Sequence, residues 1–291
     1  GHPEPPVTPG SNSTAAVQIH ASGDAQTAKT TAPAGPVKTV HVTSLEGDGA
    51  KYGVGMPIVL RFTPAPTDST EFTKAAKVTV NGQPADGAWY WEKPYKDQPI
   101  EAHYRPRTYW QANSTIKLEL PIGGLSAGKG LVYSDKLTSV TFSIGEEHIS
   151  TVNGQAERMT VRSNGTVVKT LKVSLGKATT RTYSGTKIVM QKGEAKPGGS
   201  GLRKDGAVQM IGNDPGDHYN LIVPWSVRIT ASGEYVHAAS WNGGNIGIRS
   251  TSNGCTNLNV SDAKWFYKFS ELGHVVKYVN TGGTLMSPTD G

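Results

Sequence analysis

The chain has 291 residues, a length that suits two domains better than one compact core. Its 35 glycines and 18 prolines, with many Val and Thr, favour short strands and turns over long helices. No apolar run approaches the length of a membrane helix, so a membrane span is not indicated. The net charge is +6, but the sequence has no block of five or more Lys or Arg, so a nucleic-acid-binding surface is not indicated either.

The first segment, residues 1–37, consists mainly of Pro, Ser, Thr, Ala and Gly. Such a segment buries too little apolar surface to offset the entropy of ordering it, so we predict a disordered linker. Any connection to a membrane is expected only through a lipid-anchored N-terminus that would precede this sequence.

Residues 38–146 contain short apolar runs separated by turn signals such as Asn81-Gly82. This spacing predicts an antiparallel β-sandwich. Trp89, Trp91 and Trp110 are expected in its core, and the alternative is an aromatic face that binds carbohydrate. The predicted strands are residues 40–42, 58–62, 77–80, 88–92, 115–120 and 139–144.

Residues 147–282 form a second block of predicted strands, followed by a tail at residues 283–291. Asn164-Gly165 is a strong hairpin signal. One helix is predicted, with Ser261 as its N-cap and Gly273 at its end. The predicted strands are residues 159–162, 167–173, 186–190, 220–223, 235–237 and 275–279.

Cys255 is the single cysteine of the chain and stands in the polar stretch Thr-Ser-Asn-Gly-Cys-Thr-Asn, residues 251–257. A buried structural cysteine rarely has such neighbours, so a reactive thiol is the better interpretation. The backbone N–H groups of Gly254 and Cys255 are candidates for stabilising an oxyanion. A nucleophilic thiol also needs a base, because a free cysteine is mostly protonated at neutral pH.

His237 is the candidate base, because it ends a predicted strand and is followed by a Gly- and Asn-rich loop that returns to Ser252. A loop of this kind can bring the end of a strand close to a turn, although the sequence does not prove contact. Taken without Cys255, a structural or surface histidine would be the simpler interpretation.

The run from Tyr235 to Asn257 resembles the signature of L,D-transpeptidases with a YkuD-type catalytic domain, in which a His is followed by Ser/Thr-His-Gly-Cys and then by Asn two places later. The resemblance extends to Val173-Ser-Leu-Gly-Lys177 and to the stretch that begins Val260-Ser-Asp-Ala-Lys-Trp. Gly53-Val-Gly-Met-Pro-Ile58 and Trp89-Tyr-Trp91 resemble the immunoglobulin-like domain that precedes the catalytic domain in actinobacterial members. The expected fold is therefore mainly β: an immunoglobulin-like sandwich followed by a catalytic domain of sheets with one helix.

The resemblance implies that the substrates are peptidoglycan stem peptides and that Cys255 forms an acyl-enzyme thioester from a tetrapeptide donor. Attack by an amine of a second stem would give a 3-to-3 cross-link, and carbapenems would acylate the same thiol. Catalytic positions carried over are Cys255, His237, Ser252, Asn253 and Gly254, and substrate-binding positions are Trp241, Asn257, Tyr219 and Met210. The implied location is extracellular, in the cell wall.

Asn253 departs from the family motif, which has a histidine at this position. Asn can form hydrogen bonds but carries no charge that titrates near neutral pH. Three interpretations therefore stay open: a transpeptidase, a carboxypeptidase or endopeptidase that trims stem peptides, and a protein of low activity that binds the wall. No cofactor and no metal are expected, since Asp214, Asp217 and His218 in a Gly/Pro loop are a common chance grouping.

Overall fold

The computed structural model describes residues 36–94, 96–288 and 290, without the side chains of residues 214 and 217. Nearly all of the predicted linker lies outside these residues. The described chain divides into two units, one of residues 36–52 and 56–145 and one of residues 53–55 and 146–290. None of the helices in the described residues has the length and apolar character to cross a bilayer.

The N-terminal unit consists of two β-sheets, as the sandwich prediction requires. Their strand orders are β6-β7-β3-β1-β10-β9 and β2-β11-β8-β4-β5. The strands are β1 Lys38–Ser44, β2 Lys51–Tyr52, β3 Ile58–Thr63, β4 Lys77–Val80, β5 Gln83–Pro84, β6 Gly87–Glu92, β7 Ile100–Pro106, β8 Thr115–Glu119, β9 Ser126–Gly128, β10 Leu131–Tyr133 and β11 Ser139–Ile144.

Three details of this unit differ from the prediction. Of the eleven strands given above, five lie outside the predicted runs: β2, β5, β7, β9 and β10. The pairs β1/β10 and β2/β11 are parallel, so the sandwich is not wholly antiparallel. A short helix, α1 (Thr70–Ala75), was not predicted. Its buried Phe72 packs edge-on against the ring of Trp89. The helix was not predicted because this contact joins residues distant in sequence, and the six-residue segment is otherwise mostly polar. Trp89, Trp91 and Trp110 are all buried, as predicted for a core.

The C-terminal unit contains three sheets with strand orders β14-β13-β12-β22-β15, β16-β19-β20-β21 and β17-β18. The mainly β fold class with two differently built domains is thus confirmed. The strands are β12 His148–Asn153, β13 Arg158–Ser163, β14 Thr166–Lys172, β15 Gly185–Ile188, β16 Gln191–Lys192, β17 Val208–Asp214, β18 Asp217–Val223, β19 Val227–Arg228, β20 Tyr235–Ala238, β21 Thr256–Leu258 and β22 Val275–Val279.

The helix of this unit, α2, spans Val260–Phe269. Its N-cap is Asn259 and its C-cap is Ser270, so the predicted cap at Ser261 and end at Gly273 were wrong. The helix begins earlier because β21 ends at Leu258 and leaves one residue of extended chain before it. Buried Ala263 and Phe266 pack into a core shared with residues of β12, β13, β20 and β21. This packing fixes the position of β20 and β21, which carry the candidate site.

Candidate active site

Strands β20 and β21 pair in parallel and bring the two predicted catalytic segments together. His237 lies opposite Asn257, and Ala238 lies opposite Leu258. Cys255 immediately precedes β21, beside the start of β20, where the backbone of Tyr235 hydrogen-bonds its sulfur. All four residues of β20 are buried, and the strand lies between β19 and β21 in its sheet.

The imidazole of His237 is 3% exposed, and its Nδ1 atom lies 2.8 Å from the carbonyl oxygen of Ala238. A carbonyl oxygen only accepts, so Nδ1 carries the proton and donates it in this bond. The lone pair of the neutral ring is then on Nε2, where a base needs it. Burial lowers the pKa of His237 from 6.5 to about 4, so the resting imidazole is neutral.

Cys255 is partly exposed, and burial of its sulfur raises the pKa of the thiol from 9.0 to about 11. The hydrogen bond from Tyr235 and the charge of Lys187 lower this pKa, whereas the carboxylate of Glu234 raises it. The resting site therefore holds a neutral thiol and a neutral imidazole. Among the described residues no hydrogen bond joins the two, a common state of catalytic pairs without substrate.

The turn that presents Cys255 is held by its own hydrogen bonds. The hydroxyl of Ser252 donates to the carbonyl of Cys255 at 2.6 Å and accepts the N–H of Gly254 at 3.1 Å. Thr180 Oγ1 donates to the carbonyl of Ser252 at 2.9 Å and ties the turn to the chain before β15. Gly254 has a φ of 120°, which only glycine adopts without strain. Ser252 and Gly254 thus shape the turn.

The backbone of Gly254 decides which N–H can face a reacting carbonyl. Its own N–H donates to Ser252 and so is engaged within the turn, and its service to an oxyanion stays a prediction. Its carbonyl accepts the hydroxyl of buried Thr182 at 2.9 Å. A trans peptide directs its C=O and N–H to opposite sides, so the N–H of Cys255 points away from Thr182. In the described part of the chain this N–H has no acceptor.

Of the predicted substrate-binding residues, two lie beside His237 and two lie on the hairpin of β17 and β18. Trp241 is 59% exposed, and its ring stacks on that of His237 with centroids 6.0 Å apart. Asn257 is buried opposite His237, and its Oδ1 atom has no hydrogen-bond partner among the described residues. Both are placed beside the candidate base, whereas Asn253 is an exposed residue of the nucleophile turn.

Met210 and Tyr219 lie on the hairpin formed by β17 and β18. Met210 pairs with Leu221 and Gly212 pairs with Tyr219, so the alternation of strands puts Met210 and Tyr219 on one face. Both side chains are half-buried, and the Tyr219 ring lies against Gly212. A role for either residue in the substrate pocket stays a prediction.

Three features of the site had not been identified from the sequence. The partner of the imidazole is the backbone of Ala238, which has no side-chain signal. Thr182, which donates to the carbonyl of Gly254, had been assigned no role. The third feature is an ion pair between Lys187 and Glu234, which are 47 positions apart. The sequence indicates it only through one charged residue in each of two mainly apolar segments that are buried in the fold.

No group of three or more His, Cys, Asp or Glu among the described residues is arranged to hold a metal ion. The groups that converge are a thiol, a neutral imidazole with a free Nε2, and an N–H without an acceptor. These are the groups that a site of the cysteine acyl-transfer class requires.

Comparison with known proteins gives the family. Residues 147–277 match the L,D-transpeptidase catalytic domain, and residues 5–126 match a bacterial Ig domain. Residues 147–277 thus form a catalytic domain of the L,D-transpeptidase family, and a bacterial Ig domain precedes it.

The relatives agree with this assignment. The chain is 34% identical over 242 residues to L,D-transpeptidase 2 of Mycobacterium tuberculosis (strain CDC 1551 / Oshkosh), covering 83% of this chain and 56% of the relative. It is 27% identical to L,D-transpeptidase 5 of Mycobacterium tuberculosis (strain ATCC 25618 / H37Rv), covering 88% and 54%. The chain thus spans about half the length of these curated relatives.

Solved structures share the fold. An LD transpeptidase in complex with imipenem superposes with a TM-score of 0.66 at 25% identity, covering 84% of this chain and all of that one. An L,D-transpeptidase from Mycobacterium smegmatis gives a TM-score of 0.63 at 26% identity, covering 82% and 99%.

Proposed function

We propose that this protein is an L,D-transpeptidase that cross-links peptidoglycan stem peptides through a thioester on Cys255. The observation that carries the proposal is the pairing of β20 with β21, which places a neutral imidazole with a free Nε2 beside the segment that carries the thiol. The family relationship supplies the substrate class.

Acylation begins on a tetrapeptide donor bound with its scissile carbonyl at Cys255. The sulfur attacks the carbonyl carbon as Nε2 of His237 takes the thiol proton, since neither group is charged at rest. The oxygen that becomes negative accepts the N–H of Cys255. When the C–N bond breaks, the imidazolium returns the proton to the leaving D-alanine amine, and a thioester remains.

Deacylation uses the same groups in the opposite direction. The amine of an acceptor stem, such as the side chain of diaminopimelate, attacks the thioester carbon and gives its proton to Nε2 of His237. The C–S bond breaks as the amide forms, and the thiolate recovers the proton from the imidazolium. The product is a 3-to-3 cross-link, and the enzyme is regenerated without a cofactor.

The same thiol is proposed to open carbapenems, because a β-lactam carbonyl presents the same electrophile. The relative whose structure contains imipenem supports this extension. Since the substrate is the cell wall, we also propose that the protein acts outside the cytoplasm.

The test uses the wild-type protein and a Cys255→Ala variant with a purified disaccharide-tetrapeptide and a carbapenem, followed by mass spectrometry of protein and products. A cross-linked dimer and an adduct that needs Cys255 are expected. Tripeptide without dimer would instead indicate a carboxypeptidase. No product and no adduct would favour the wall-binding interpretation, with Asn253 in place of histidine as its cause.

A further inference from the structure

A buried ion pair lies behind the turn that presents the nucleophile. Lys187 Nζ is 2.5 Å from Glu234 Oε1, and the side chain of Lys187 is completely buried. Lys187 also donates to the carbonyl of Tyr183 at 2.7 Å and lies over the ring of Tyr278 at 3.8 Å from its centroid. Both charges are therefore removed from water.

A buried ion pair of this kind contributes little net stability to a fold. Removing two charges from water is costly, and well-packed apolar residues of similar size are often at least as stabilising. Its position suggests another role, since Glu234 directly precedes β20, the strand of His237, and Lys187 belongs to β15.

Hydrogen bonds connect the ion pair to the turn that presents Cys255, through the segment that precedes β15. Glu234 Oε2 accepts the N–H of Tyr183 at 2.9 Å. The preceding residue, Thr182, donates to the carbonyl of Gly254, which orients the peptide between Gly254 and Cys255. Glu234 Oε2 also lies near Gly254, at 4.0 Å from where a Cβ on Gly254 would stand.

The two charges act on the sulfur in opposite directions. The carboxylate of Glu234 raises the pKa of Cys255, and the ammonium of Lys187 lowers it. The other titratable groups that interact with the sulfur or the pair are Tyr235 on β20, Tyr278 on β22 and Asp290. The tyrosines are neutral near pH 7, because burial raises the pKa of each.

We propose that Lys187 and Glu234 are positioning residues for Cys255, whose ion pair holds the Gly254–Cys255 peptide in place and keeps the charge behind the sulfur balanced. The inference rests on the proposed function in that Cys255 is taken as the nucleophile. Neither residue touches the substrate. Their effect is to keep the thiol neutral but ready to lose its proton to His237.

The test measures the rate of Cys255 alkylation by iodoacetamide against pH, because Cys255 is the chain's single cysteine. Glu234→Gln retains the acceptor for Tyr183 but removes the negative charge, so the midpoint should move down by about one pH unit. Lys187→Met should move it up by a similar amount. The double variant should return close to the wild-type midpoint.

Lys192→Met is the matched control, since Lys192 lies over the ring of Tyr267 and not in this pair. If Lys187→Met does not fold, Glu234→Gln and the double variant still decide the question, with folding checked by circular dichroism. A purely structural pair would change stability and leave the alkylation midpoint in place.

The proposal is supported if the pH midpoint of Cys255 alkylation shifts in opposite directions in the two single variants and returns to the wild-type value in the double variant. Unchanged midpoints, or shifts of the same sign, would overturn it. The wild-type reaction with tetrapeptide is measured in parallel, and its failure would count against the proposed transpeptidation alone, because alkylation needs no peptide substrate.

Discussion

The Nδ1 atom of His237 lies 2.8 Å from the carbonyl oxygen of Ala238, the next residue in the chain. The orientation of this candidate base is thus set by the backbone of β20 and is independent of the side chain at position 238. Many catalytic histidines are oriented by a carboxylate, whose negative charge would favour the imidazolium. A carbonyl provides the orientation with a weaker effect on charge.

Replacing His237 with Gln should abolish most of the acylation of Cys255. Gln can occupy the space and form hydrogen bonds but takes no proton, so the rate of carbapenem or tetrapeptide acylation should fall by about 10²- to 10⁴-fold. Stopped-flow mass spectrometry of the acyl-enzyme measures this rate. The exposed His41→Gln variant is the control, and an equal loss there would show that the effect is not specific.

The buried neutral His237 should make the fold sensitive to acid. Its pKa in the fold is about 4 against an ordinary 6.5, so its contribution is complete above pH 6.5 and is lost as the pH falls through 4. This contribution is about 3 kcal/mol in the free energy of unfolding. Urea unfolding of wild type and His237→Gln at about pH 7 and about pH 4 should show the difference between them shrinking on acidification.

Gly254→Ala should impair the reaction more than the fold. The new Cβ would have room, at 3.7 Å from the nearest atom, but the φ of 120° would be strained, at a cost of about 1–3 kcal/mol. Relaxing that strain would turn the N–H of Cys255. Gly165→Ala, at a φ of 83° with open space, is the matched control: it should lose similar stability and keep its acylation rate.

Asn257→Leu should separate binding from stability. The Oδ1 atom of Asn257 is buried without a partner among the described residues, so an apolar side chain of similar size should leave the free energy of unfolding unchanged or raise it. If this oxygen binds the stem peptide, KM should rise about tenfold or more. Thermal unfolding and donor-dependent kinetics test the two parts, and an unchanged KM would remove Asn257 from the pocket.

Local patterns predicted much of the fold, and the misses have physical causes. Alternating apolar residues and turns such as Asn164-Gly165 identified β13 and β14. The short helix Thr70–Ala75 was missed because it depends on the burial of Phe72 among aromatic side chains distant in sequence. The start of α2 was misplaced because Asn259 and Ser261 are both good N-cap residues, and the end of β21 decides between them.

The candidate site shows the same limit. Cys255 and His237 could be predicted as a catalytic pair because their side chains and sequence neighbours indicate that chemistry, and the structure brings their segments together. The hydrogen bond between the imidazole and the carbonyl of Ala238 was not predicted, since it depends on backbone orientation. Lys187 and Glu234 were missed because a single charge in a strand usually indicates an exposed face, and their pairing appears only after β15 and the start of β20 are folded.

The turn from Ser252 to Cys255 keeps its shape without any contribution from the side chain of Asn253. Its internal hydrogen bonds come from Ser252, Gly254 and Cys255, and Asn253 projects outward between them. The residue at position 253 is therefore interchangeable as far as the shape of the turn is concerned. Substitutions at this one position are expected to leave the scaffold around the thiol unchanged.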